Sequence, residues 1–525
     1  MERAFSSGRC LIFLLLFPVF LAGCVRPDPE TTIMVTNAAA AVAPAGQTNL
    51  NLGGEAGVIV STPTPAPLTV TPDLPAYAGT PTPDPTRARD VATDGRQLLT
   101  HTVQQNETLG YIARYYGSSA EELMALNNLT ATDFLQVGQV LRVPGDAALV
   151  SPAFKIVPDS ELVYGPAAAD FDVRAWAGQF GGYLLRHEEV VEGRPLTGPE
   201  IVQLVADRFS VNPRLLLVAL EYRSGWLTQP EPAEREYPLG RVQAGYEGLY
   251  KQLTWAADQL NWGYYGRAEG GVTSFTLDDG TRIGFAPELN DGTTGVQFWL
   301  GVHTGATYDR WLQDAGPAGF YATYARLLGN AFAYTVEPLW PEGLVQPTLA
   351  LPWATGETWY FTGGPHGGWA SGSAWAALDF VPNHQQLGCY SSESWVRAMA
   401  PGVVTRSDFG AVVVDLDGDG YAGTGWAITY MHLESRDRVA VGTMVQTGDP
   451  LGHPSCEGGY SNGTHVHLAR TYNGRWVAAD GAMPFAMGGW VSAGLGREYD
   501  GQLIRGNEIK EACECREEGN AITAD

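Results

Sequence analysis

Apolar residues are distributed along this chain in several distinct patterns, and each pattern predicts a different kind of segment. Arg3 and Arg9 precede an unbroken apolar run, Leu11 to Leu21. That run has the length of a signal-peptide core and is too short to span a bilayer core of about 30 Å. From Val25 to about Arg96 neither a helical nor a strand period occurs. Within it, Thr62 to Thr86 (TPTPAPLTVTPDLPAYAGTPTPDPT) carries Pro at short intervals, so it has too little apolar area to offset chain entropy. Such a segment extends at about 3.1 Å per residue and acts as a semi-stiff tether. Thr100 to Pro144 predicts strand, helix, helix, strand. The first strand is HTV, and a helix over Leu109 to Tyr116 stops at Gly117. Ser118, Ser119, Glu121 and Glu122 open a second helix bearing Leu123, Leu126 and Leu129, and VGQVLRVP closes as a strand. Between about Phe154 and Leu344, helical spacing in GPEIVQLVADRF and NPRLLLVALEY predicts a helical domain. Beyond it, GAVVVDLDGDG, WAITYMHL and VAVGTMVQTGDPLGH are short strands punctuated by Gly, the pattern of an all-β domain.

Composition and charge narrow the possibilities. A length of 525 residues exceeds one ordinary domain, and 45% hydrophobic with 11% aromatic residues supports real cores despite 64 Gly and 34 Pro. Lys and Arg number 32 against 57 Asp and Glu, a net charge of −25. With no basic patch, that field argues against nucleic acid as a partner. The apolar run ends in Leu21-Ala22-Gly23-Cys24, which resembles the lipobox of bacterial lipoproteins. The resemblance implies cleavage before Cys24, a lipid anchor on that residue, and an extracytoplasmic, envelope location on a membrane. An uncleaved anchor and a plain secretory signal are the alternatives. Cys389, Cys456, Cys513 and Cys515 remain for disulfides in an oxidising compartment. Cys389 with Cys456 is the preferred pairing, because both lie in the all-β segment; the sequence alone does not establish it.

The motifs HTVQQNETLGYIARYYG, ELMALNNLT and LQVGQVLRVP resemble, in order, a LysM domain. The resemblance implies binding to the N-acetylglucosamine chain of peptidoglycan or chitin, against a small interaction domain without sugar affinity. Asn106-Glu107 stands where the family usually has Gly-Asp. Further on, FSVNPRLLLVALEYRSGWLTQP is similar to the segment of lytic transglycosylases and goose-type lysozymes that leads into their catalytic Glu. Here Arg223 takes the place of that acid, and Glu221 lies two positions earlier, on a different side of a helix turning about 100° per residue. The expectation is a lysozyme-like domain without glycosidase activity.

Six of the nine His lie between His366 and His467. Thr464-His465-Val466-His467-Leu468 reads as a strand with both imidazoles on one face. Trp426 to Leu433 is a second strand with His432 near its end, and the Gly-rich stretch FTGGPHGGWASGSAWAALDFVP carries His366 and Asp379. Imidazoles with a carboxylate suit zinc or a similar cation. GGPH, ALDF, YMHL, PLGHPSC and GTHVHLA occur in the order of lysostaphin-type (LytM) peptidoglycan metalloendopeptidases, over about Leu351 to Trp490. The usual His-x3-Asp is absent, since Trp375 stands four before Asp379. The β-lytic and staphylolysin (LasA-like) branch spaces these ligands further apart, as His366 and Asp379 are here. The resemblance implies His366, Asp379 and His467 as zinc ligands and His465 as general base. It implies for His432 a part in orienting water and stabilising the oxyanion, with a zinc-activated water as the nucleophile.

Other features have plainer readings. Asp415 to Gly420 begins like a calcium loop, but Trp426 fills the twelfth position, so a hairpin turn is the better reading. His384, His453, His187, His303 and His101 have no partner at ligand spacing. The expected architecture is multidomain. A signal peptide (1–23) precedes a lipid anchor with a Pro/Thr-rich linker (24–98) and a small βααβ LysM module (99–146). An α-helical lysozyme-like middle domain (154–345), an antiparallel all-β peptidase domain (350–492) and a charged C-terminal tail (493–525) follow. The expected function is a lipid-anchored peptidoglycan hydrolase that cuts peptide stems or cross-links, with wall binding by sugar recognition. The alternatives are a non-catalytic wall-binding scaffold or amidase activator, and a two-headed enzyme that also uses Glu221.

Overall fold

Residues 98–525 are described by the computed structural model, apart from several positions within 104–119 and from 131–134, 145–148, 270, 271 and 385. The signal segment, Cys24 and the linker to residue 97 lie outside the described residues, as does most of the expected helix from Leu109 to Tyr116. In the first module β1 (Leu98–Thr102) pairs antiparallel with β2 (Val140–Pro144), from Leu98 opposite Pro144 to Thr102 opposite Val140. Between them in sequence lies α1 (Ala120–Asn127). Leu123 of this helix packs with Val103, Ile112, Leu141 and Val143 in a small core. The Asn127 side chain then joins helix to strand, accepting from the Arg142 N–H at 2.5 Å and donating to its carbonyl at 2.7 Å.

The middle region is mainly helical. α2 (Gly198–Phe209) starts at a reciprocal cap, where the Glu200 carboxylate accepts from the Thr197 N–H and hydroxyl at 2.7 Å each. α3 (Pro213–Ser224) starts at Asn212, whose side chain accepts from the Arg214 N–H at 3.0 Å, and stops at Gly225 with φ +70°. Every residue of α3 from Pro213 to Glu221 is buried, so this is a central helix and not an amphipathic surface one. α4 (Leu249–Ala268) and α5 (Asp291–Gly301) pack with their backbones close together. A Cβ on Gly263 would stand 2.6 Å from the Thr294 carbonyl oxygen, and one on Gly295 2.7 Å from that of Leu260. α6 (Phe320–Leu328) closes the helical part.

The C-terminal region is built from β3 (Thr358–His366), β4 (Ala377–Pro382), β5 (Gly402–Asp408), β6 (Ala411–Asp415), β7 (Trp426–Met431), β8 (Met444–Val445) and β9 (Val466–Tyr472). Past these come β10 (Arg475–Trp476), β11 (Ala486–Met487), β12 (Trp490–Gly494), β13 (Gly501–Arg505), β14 (Glu508–Glu511) and β15 (Ala521–Thr523). The main sheet runs β8-β5-β6-β7-β9-β4-β3-β15, antiparallel throughout, with β10 paired to β9. β11 to β14 form a second antiparallel sheet.

Strand periodicity determines what each face of the main sheet buries. Leu378, Val412, Tyr430 and Leu468 point into a core of the β region itself. Their neighbours Ala377, Ala411, Met431 and Ala469 point the other way, into a core shared with α2 to α6. Trp369 and Trp476 complete that shared core. The helical and β regions, expected as separate domains over 154–345 and 350–492, therefore share a continuous apolar interior. A second correction concerns residues 493–525. The segment expected to be a charged tail supplies β13, β14 and β15, with Leu503 and Ile522 buried and Ile522 opposite Trp359 of β3. Its charged residues lie on outward positions and conceal the alternation. Cys389 and Cys456 form a disulfide, and Cys513 is bonded to Cys515.

Candidate active site

Register brings the candidate residues together. His467 on β9 lies directly opposite Asp379 on the neighbouring β4, so their side chains share a face. His366 ends β3, the other neighbour of β4, where the ladder is irregular between Gly363 and His366. On the opposite flank β7 ends at Met431, and His432 follows with φ +62°, a left-handed conformation that only well-packed surroundings hold in place for such a residue. The Ser455 N–H and hydroxyl fix it by donating to the His432 carbonyl at 2.6 and 2.9 Å. His465 sits immediately before β9.

Each of the four imidazoles has one nitrogen on a backbone carbonyl. His366 Nδ1 donates to Gly364 at 2.8 Å, His467 Nε2 to Gly368 at 3.0 Å, His432 Nδ1 to Glu457 at 3.0 Å and His465 Nδ1 to Gly463 at 2.7 Å. A carbonyl only accepts, so the proton of each neutral ring is assigned to that nitrogen and the other nitrogen presents a lone pair. His366 Nε2 and His467 Nδ1 then face each other at 3.0 Å, with Asp379 Oδ1 at 3.2 and 3.3 Å from them. That carboxylate oxygen is buried and accepts no hydrogen bond. Three acceptor atoms thus converge without a donor among them, an arrangement that a cation satisfies. Two imidazoles and a carboxylate suit zinc, with a coordination position left over.

The remaining two histidines line the approach. His465 Nε2 is 3.8 Å from Asp379 Oδ1, and the His432 and His465 rings lie 4.4 Å apart. His465 is partly exposed, whereas His366, Asp379, His432 and His467 are buried, so His465 marks the open side. Burial alone would raise the Asp379 carboxyl pKa. The neighbouring His366 and His465, positively charged when protonated, outweigh burial and hold it well below the usual range. Burial, reinforced by His465 and His467, holds the His432 imidazole well below its ordinary value.

Comparison with known proteins bears on what such a site belongs to. The family model described as "LasA, N-terminal domain" matches residues 155–339, and the LysM domain model matches residues 101–144. Protease LasA of Pseudomonas aeruginosa strain UCBPP-PA14 is 27% identical over 347 residues, covering 62% of this chain and 75% of that protein. These matches make the chain similar to LasA/LytM-type peptidases and give it a LysM domain match. Among solved structures, the M23 metalloprotease pseudoalterin from the deep sea is 30% identical over 32% of this chain and 96% of that one, with a TM-score of 0.27. The catalytic domain of lysostaphin from Staphylococcus simulans is 20% identical over 23% and 89%, with a TM-score of 0.17.

The other candidates have structural partners. Glu221 Oε2 accepts from the Leu227 and Thr228 N–H groups at 3.1 and 3.2 Å, while Oε1 accepts from the Thr228 hydroxyl at 2.7 Å and from Arg326 at 3.1 Å. It staples the loop after α3. Arg223 pairs with Asp314 at 3.3 Å. The Asp415 oxygens accept from the N–H groups of Asp417 and Gly420 at 3.1 and 2.9 Å, closing the hairpin turn between β6 and β7. Asp415, Asp417 and Asp419 also approach one another, and burial followed by Asp415 pushes the Asp417 carboxyl up to about 7. His187 pairs with Glu189, and His453 bonds to the Ser394 carbonyl. Tyr499 was not anticipated from sequence. It stacks on His366 at 4.2 Å with rings 20° apart, and its backbone brackets Pro365 through Gly364 N–H to Tyr499 O and Tyr499 N–H to Pro365 O.

Proposed function

We propose that this chain is a zinc-dependent peptidoglycan hydrolase, lipid-anchored through Cys24, whose LysM module holds wall glycan while the β region cuts peptide stems or cross-links. The convergence of His366, Asp379 and His467 with no donor among their facing atoms carries the reading. These three would hold the metal. When bound there, zinc would supply acidification of a water toward neutrality and polarisation of a carbonyl. His465, on the open side and anchored through Nδ1, offers Nε2 as general base to the attacking water and afterwards returns the proton to the leaving amine. His432 is kept neutral by its buried surroundings, so its free Nε2 orients the water by accepting a hydrogen bond. Carbonyl acceptors at Gly364, Gly368, Glu457 and Gly463 aim the four rings before substrate arrives.

The middle region, read from sequence as lysozyme-like, is proposed to lack glycosidase activity. Supporting this, all the polar capacity of Glu221 is spent on a loop and on Arg326. The net charge of −25 fits sugar recognition better than basic attraction to anionic wall polymers. Metal analysis tests the metal assignment: the purified chain should carry about one zinc, lost in Asp379→Asn and His467→Ala and kept in His465→Ala. A chain that binds purified wall but holds no zinc is the scaffold or amidase activator instead.

A further inference from the structure

We infer that Asp258, on α4 of the helical region, is a positioning residue for the metal site, acting through the glycine-rich loop between His366 and Asp379. The inference rests on the assignment of His366, Asp379 and His467 as zinc ligands. Asp258 is 6% exposed, and its Oδ1 accepts the Gly372 N–H at 2.7 Å. The loop lies flat on α4 at this point, since a Cβ on Gly372 would stand 2.2 Å from the Asp258 carbonyl oxygen.

From Gly372 the loop is closed by its own bonds. The Ser373 hydroxyl accepts from the Trp369 N–H and donates to the Ala370 carbonyl, both at 3.0 Å, and the Gly368 N–H donates to the Ala374 carbonyl at 3.0 Å. Ala370 is held at φ +58°, a conformation that a residue with a Cβ keeps only under constraint. The Trp369 ring lies 6.5 Å from that of Phe209 and 5.3 Å from the Arg208 guanidinium, both on α2. At the far end of this braced unit the Gly368 carbonyl accepts from His467 Nε2 at 3.0 Å, fixing which nitrogen faces the metal. The helical region thus contributes to the site through this loop. It is a working part of the metal centre. The twelve residues between His366 and Asp379 would otherwise have to hold the Gly368 carbonyl unaided.

The test is zinc release from the full-length chain into excess chelator, read with melting temperature. Removing a partner that orients a metal ligand weakens metal binding by about 10–100-fold. Asp258→Ala should therefore release zinc about tenfold faster than wild type. Gly372→Ala, which pushes the loop off α4 while leaving every middle-region side chain intact, should do the same. It carries the comparison if Asp258→Ala does not fold. Asp258→Asn keeps an oxygen acceptor and should restore release to within about twofold of wild type. Ser210→Ala removes another bond across the shared interior, Ser210 hydroxyl to Gly474 carbonyl at 2.6 Å. It should lower the melting temperature without speeding release. Wild-type release rates in Asp258→Ala and Gly372→Ala would overturn the inference, as would release in Asp258→Asn or Ser210→Ala as fast as in Asp258→Ala. A wild-type chain that holds no zinc would overturn the ligand assignment as well.

Discussion

Replacing Cys389 and Cys456 by Ser tests how the β region holds its catalytic loops. The bridge closes a loop with a sequence separation of 67, for which chain entropy gives a stabilisation of about 4 kcal/mol. At about 2–4 °C per kcal/mol for a region of this size, melting should fall by roughly 8–16 °C. The bridge also lies beside the chemistry. The Thr464 N–H donates to the Gly388 carbonyl at 3.0 Å, and the Thr464 hydroxyl accepts from the Tyr390 N–H at 2.8 Å and donates to its carbonyl at 2.7 Å. Thr464 precedes the proposed base His465, so freeing this loop loosens the base without touching a zinc ligand. The double variant, preferable to a reductant because it spares Cys513 and Cys515, should keep its zinc and lose turnover. Guanidinium unfolding of zinc-loaded protein gives the stability change. A loss below about 1 kcal/mol, or loss of zinc with the bridge, would refute the reasoning.

Three further outcomes are expected. Glu221→Gln should cost about 1–3 kcal/mol, because a buried acceptor of four donors is weakened, and should leave peptide-bond cleavage unchanged; glycan-strand products that vanish in this variant would assign it catalysis instead. His465→Ala and His432→Ala should lower kcat at least about 100-fold with zinc retained, whereas His366→Ala should lose the metal, as metal analysis of each variant will show. The His303 imidazole is lowered to about 4, first by burial and then by Arg223, from an ordinary 6.5. Its folded pKa lies below the unfolded one, so the stability it contributes is complete above about pH 6.5 and is lost as pH falls toward 4. Urea titrations across that window should show up to about 3 kcal/mol less acid loss in His303→Gln than in wild type.

The local periods in the sequence were informative, and the long-range contacts were not. His465-Val466-His467 announced a strand with paired imidazoles, and the structure places His467 across from Asp379 in strict register. His366 was out of reach of any spacing rule. It lies thirteen positions before Asp379, and a hairpin with a ten-residue glycine-rich loop between its strands brings the two together, which a family resemblance could suggest and periodicity could not. The last 33 residues hid their strands because Leu503 and Ile522 are isolated apolar positions in short strands within a segment rich in charge, and with them went the stacking of Tyr499 on His366. The Asp258 to Gly372 bond joins positions 114 apart, with no local signal at either end beyond a glycine that must lie against a helix. Glu221 was legible as a helical carboxylate two positions before Arg223, but its four donors come from a loop and from α6.

The central claim is that this site cuts peptide bonds of the wall, and mass spectrometry of soluble fragments released from purified peptidoglycan tests it most directly. Fragments should carry newly exposed amino and carboxyl ends in the peptide portion with intact glycan, and should be absent when His465 or Asp379 is replaced. Fragments cut only between sugars, or peptide products undiminished in those variants, would contradict it.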